Sequence, residues 1–198
     1  MRSRINNIIQ NPTFNTIGIL ICFMHVVSWY IIFHNNHFRK DLIEHNKVGA
    51  LAAFFLALSH GIVVLLLSAK ASKTGLFRFL VYASFLVTLS GAVFKVIAGF
   101  NLQNLIPGSG NTMVIFGSLF FNLFLILDTF TSERKLTYYG GLSLVVIILY
   151  PVVMTFSEGF INYERLLFML PSIYLIYILL SFRKSRLTDE SDILDQHV

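Results

Sequence analysis

The chain has 198 residues, 56% of them hydrophobic and only 13% charged, with a mean hydropathy of +0.72. A soluble domain needs about twice that share of charge to cover its surface, so a soluble enzyme, a disordered segment and a secreted disulfide scaffold are excluded. The formal net charge of +5 does not point to nucleic acid, because the basic residues flank apolar runs, where they orient a chain and meet anionic lipid headgroups.

Six apolar runs follow one another, at 13–33, 48–68, 77–100, 112–130, 136–156 and 166–182. Each falls within or at the edge of the roughly 17 to 25 residues that a helix needs to cross a bilayer, and none alternates as a strand would. The fold class is therefore all-α: a polytopic transmembrane bundle of about six spans in one domain over 1–182, with a cytoplasmic tail at 183–198. The MRSR start precedes a run long enough to span and without a small-residue cleavage site, so no cleaved signal peptide is expected.

Short polar or glycine-containing linkers separate the runs. In LIPGSGN, Pro107 and the glycines stop one helix and Asn111 is expected to cap the next. Linkers this short make sequential helices antiparallel neighbours. Pro151 and Pro171 are expected to kink the last two helices. Lys and Arg decide the orientation: Arg2, Arg4, Lys70, Lys73, Arg78, Arg134, Lys135, Arg183, Lys184 and Arg186 fall on one side, against Arg39, Lys40, Lys47 and Arg165 on the other. Both termini are thus expected in the cytoplasm.

Ionisable residues at membrane depth are costly and mark candidate sites. His25 shares a helical face with Gly18, Cys22 and Trp29, and His60 shares one with Ala53, Ala57 and Gly61, so both stripes are expected to face protein. Three roles suit the two imidazoles. They can be structural, each bonded to the other or to a carbonyl or hydroxyl. They can line a proton or ion path. They can also ligate b-type haem or a metal, since the stretch LAAFFLALSHG is similar to ferric-reductase-like cytochromes, although those usually supply more than one histidine pair. The structural role is the leading one, and no cofactor is expected.

Lys95 continues the small and polar stripe of Ser84, Thr88 and Gly91 and lies a short stem from the outer interface. Asp128, at the opposite end of its span, is expected to anchor in headgroup water or against Arg134 and Lys135, and Asn122 to bond across helices. The single Cys22 permits no intrachain disulfide. Zinc-protease, serine-hydrolase, CxxC and phosphate-loop motifs are not found, so no catalytic residue is nominated.

Residues 81–130, with Val81-Tyr82, the SGAVFK block at 90–95 and Gly110-Asn111-Thr112-Met113 leading to Gly117, resemble the two-helix membrane hairpin of the GldL family of Bacteroidota gliding and type IX secretion proteins. The resemblance implies a bacterial inner-membrane protein, and it carries over one residue, Lys95. The family's intramembrane glutamate is replaced here by the stretch Ser118 to Asn122, which holds no carboxylate. The expected function is that of a non-catalytic, complex-forming membrane subunit, with membrane proteins or further copies of itself as partners. A small proton, ion or solute transporter and a haem electron-transfer subunit are the alternatives.

Overall fold

The computed structural model describes residues 11–38, 45–70, 75–100, 109–156 and 163–181. Every regular element among these residues is helical: α1 (Pro12–Phe38), α2 (His45–Lys70), α3 (Leu76–Gly99), α4 (Ser109–Thr129) and α5 (Arg134–Phe156). A 3₁₀ helix, Tyr163–Met169, then runs directly into α6 at 170–181. Each of α1 to α4 contains a stretch long and apolar enough to cross a membrane. The fifth helix has 23 residues, and the apolar part of the last segment, Leu166–Ser181, is shorter. Large apolar side chains such as Leu20, Phe23, Leu86, Phe116, Tyr177 and Leu180 are exposed along the outside, as lipid requires of a membrane-embedded bundle.

The first helix continues to Phe38, and the apolar stretch within it, Pro12–His34, agrees with the expected run. Two local expectations are corrected. Asn111 does not cap α4, which begins at Ser109 and places Asn111 inside the first turn. Pro171 does not kink a helix interior. It stands at the junction where the 3₁₀ turns give way to α6, a place where its missing N–H breaks no established α-helical bond. Pro107 and the tail at 183–198 lie outside the described residues, as does the side chain of Pro151.

Neighbouring helices pack in chain order, and the C-terminal segment returns to α1, which closes a ring. Three contacts set the register of that closing seam. Gly18 lies under Leu179, His25 bonds Ser172 and Trp29 stacks on Phe168 at 4.5 Å. Steps of seven and four residues along α1 are thus answered by the same steps in reverse, so the two run antiparallel without slippage. One apolar core draws on all six helices, including Cys22, Leu66, Val81, Phe121, Tyr139 and Leu175.

The closest seam is α3 on α4. A Cβ on Gly117 would stand 2.7 Å from the Thr88 backbone nitrogen, and one on Gly91 would stand 2.8 Å from that of Val114. Both positions need glycine because the opposing backbone fills the space that a side chain would take. The expected stripe of Ser84, Thr88 and Gly91 is the buried face of α3. The Ala53 and Ala57 face of α2 packs against the same seam through Ala92 and Val114.

Candidate functional site

The two histidines occupy unlike settings, although both are fully enclosed. On α1, Trp29 Nε1 donates to His25 Nε2 at 3.0 Å. An indole nitrogen can only donate, so Nε2 accepts and the proton of the neutral imidazole rests on Nδ1. That nitrogen lies 2.7 Å from Ser172 Oγ and donates to it. The imidazole is therefore bonded at both nitrogens and fixed in one tautomer, with the stack of Trp29 on Phe168 holding the indole in place.

On α2, His60 lies flat on Phe121 of α4, the ring centroids 4.1 Å apart and the planes 15° from parallel. Neither ring nitrogen has a hydrogen-bond partner. The two histidines do not bond each other, and His25 could ligate a haem through Nε2 only by giving up its bond from Trp29. The arrangement does not fit axial ligation by the pair. Among the described residues there is also no group of three or more His, Cys, Asp or Glu able to hold a metal ion.

Asn122 is fully enclosed on α4. Its Nδ2 donates to the Ser118 carbonyl one turn back, at 2.7 Å, and its Oδ1 is unmet. Because a carbonyl can only accept, the orientation of the amide is settled. The cross-helix bond expected of Asn122 is replaced by this local one. Ser118 Oγ is unmet as well.

Asp128 departs from expectation in its partner. Arg78 on α3, counted in the sequence only among the basic residues that set orientation, donates to Asp128 Oδ2 through Nε at 3.1 Å and through Nη2 at 2.9 Å. The two side chains are 9% and 10% exposed, so the pair closes the end of the α3–α4 seam. Lys135 instead donates to Ser181 Oγ at 2.9 Å, which joins α5 to α6. Lys95 lies about 25 Å along α3 from Arg78 at 1.5 Å per residue. It is half-buried, and its stem packs over Gly110.

Sequence reasoning missed Ser172, Arg78 and Ser118. A serine is unremarkable in an apolar run, and an arginine at the edge of one reads as an interface anchor. The one usable signal was Trp29, four residues after His25 and therefore placed to donate to it along the helix. Other polar contacts stitch consecutive helices. Tyr82 meets Ser68 at 2.9 Å, Thr129 meets Thr137 at 3.0 Å and Cys22 meets Ser59 at 3.9 Å. No family model, curated protein or solved structure matches this chain.

Proposed function

We propose that the protein is a multi-pass protein of a bacterial inner membrane, with about six spans and both termini cytoplasmic, that serves as a non-catalytic, complex-forming subunit. The observation that supports this reading is the α3–α4 hairpin, in which glycine packing and the Arg78–Asp128 pair make one rigid unit. Its outer face carries large exposed apolar side chains, among them Phe79, Phe94, Phe116 and Phe120, which suit a partner helix or a second copy. The same hairpin carries the resemblance to the GldL family. Crosslinking and pull-down from native membranes tests the proposal. Stable capture of a membrane-protein partner through the outer face of α3 and α4, lost on replacing Phe94 and Phe116 by alanine, supports it, and a chain that is monomeric and unpartnered in its own membrane contradicts it.

A second reading, a small proton or solute conductor, is favoured by one observation: the unmet imidazole of His60 in the middle of the bundle. An ionisable group held at membrane depth without a partner is costly unless it is used. Liposome flux measurements separate the two readings. A flux that is abolished in His60→Leu selects conduction, and the same null flux in the wild type and in the variant selects the subunit.

A further inference from the structure

The second helix packs against both α1 and α3, and Leu58, Gly61 and Leu65, spaced by three and four residues, share one of its faces. Gly61 leaves that face recessed. A Cβ there would stand 3.5 Å from the Phe85 ring, an ordinary contact, so the neighbouring helices do not demand glycine here as they do at Gly91 and Gly117. The missing side chain instead opens a groove of about 420 Å³, floored by α2 and walled by Phe14, Ile17 and Ile21 of α1 and by Phe85 of α3. Every described residue that lines it is apolar or glycine, and Ile17 and Leu65 are exposed at its rim.

The groove runs along the bundle from one end. Phe14 stands two residues from Pro12, where α1 begins, and Leu58 stands twelve from Lys70, where α2 ends, so at 1.5 Å per residue it extends from about 3 Å to about 18 Å. The contact of Cys22 with Ser59, ten residues from Pro12 and eleven from Lys70, confirms that the two helices are level. Such a reach is about half of a hydrocarbon core roughly 30 Å thick, which is one leaflet. A helix about 10 Å across would displace roughly 1,200 Å³ over the same 15 Å, about three times the volume present, so the groove suits a single slender chain. The end at which it begins is basic. Arg2 and Arg4 precede α1 in the sequence and Lys70 closes α2, while no acidic residue occurs before Asp41 or between Glu44 and Asp128, and Asp128 is already taken by Arg78.

We propose that this groove is a lipid site, in which one acyl chain of an anionic phospholipid lies against α2 between α1 and α3, with its headgroup at the basic end. Lipid around a smooth helix is touched on one side, whereas a chain in the groove is met on three and exchanges more slowly. The negative headgroup supplies the charge that this end lacks. A quinone or haem ring in the groove would bring carbonyls or carboxylates among side chains that offer them no donor. The site requires only the membrane setting, and it holds for a static subunit and for a conductor alike.

Native mass spectrometry of the full chain tests the assignment, after reconstitution in nanodiscs of equimolar phosphatidylglycerol and phosphatidylcholine with matched acyl chains and release into mild detergent. The wild type should retain one phosphatidylglycerol, several-fold in preference to phosphatidylcholine. Gly61→Leu, which fills the floor, should retain no lipid under the same conditions. Where that variant does not fold, Ile17→Trp gives the same reading, because residue 17 is exposed at the rim and a larger ring there narrows the mouth. The triple variant Arg2→Gln, Arg4→Gln, Lys70→Gln should keep a lipid but lose the preference. Retention equal in the wild type and the folded groove variant would mean an ordinary annular lipid. That result, a wild type that retains no lipid or shows no headgroup preference, or a triple variant that keeps the preference would overturn the proposal.

Discussion

The two most instructive seams of the bundle hold by opposite means. Between α3 and α4, glycine brings backbone against backbone, and what fixes the register is shape. Between α1 and the C-terminal segment no comparable backbone approach is found among the described residues, and register is fixed largely by chemistry through His25, Ser172, Trp29 and Phe168. In a bilayer, lipid competes for apolar contact but offers nothing to an imidazole and cannot follow a backbone into a groove. Each seam exploits one of those two deficiencies of lipid as a solvent.

The contrast predicts a graded series of losses. Gly117→Val should be the most damaging change, because its Cβ would meet the Thr88 backbone nitrogen and Cα as well as the Thr88 hydroxyl. Destabilisation of about 3 kcal/mol or more is expected, read as a lower melting temperature in detergent. A melt unchanged from wild type would show that shape does not hold this seam. Arg78→Met comes next. It leaves the Asp128 carboxylate enclosed without its cation and should cost about 2 to 3 kcal/mol, the low end for a buried pair because this one sits at the bundle's edge. The double variant with Asp128→Leu should recover most of that loss, and a double variant as unstable as the single one would show that the pair's attraction, rather than the stranded charge, is what matters.

On the other seam, His25→Leu removes two hydrogen bonds but leaves Ser172 free to turn to a helix carbonyl. A loss of about 1 to 2 kcal/mol is expected, with loosened protection of the C-terminal segment in hydrogen exchange and none in α3–α4. Protection lost equally in both places would mean that the seams are not independent. Lys95→Met should be close to neutral, since the thioether keeps the stem over Gly110 and no ion pair of the ammonium is seen among the described residues. A clear drop in melting temperature would point to a buried role for the charge.

The helical class and the inward stripes were legible in the sequence because both depend on short-range periodicity. Ser84, Thr88 and Gly91 announce a close-packed face three and four residues at a time, as do Ala53 and Ala57. The partners across seams were not legible. Arg78 and Asp128 are 50 residues apart and His25 and Ser172 are 147 apart, and only the three-dimensional register selects one serine or one arginine among several. His60 illustrates the remaining gap. Its spacing with small residues correctly foretold enclosure, but whether an enclosed imidazole is bonded or unmet turns on a neighbour's rotamer, which periodicity does not encode.

The ring closure has a temporal side. Ribosomes deliver the chain from its N-terminus, so α1 enters the bilayer long before the segment carrying Phe168 and Ser172 has been made. Until then Trp29 has no ring to stack on, and the half of the imidazole that Ser172 will bond faces whatever surrounds the nascent bundle. The glycine seam, by contrast, forms between consecutive helices and can lock as soon as α4 is inserted. Closure of the ring is therefore expected to return to the first helix, with a segment made much later completing a surface laid down at the beginning.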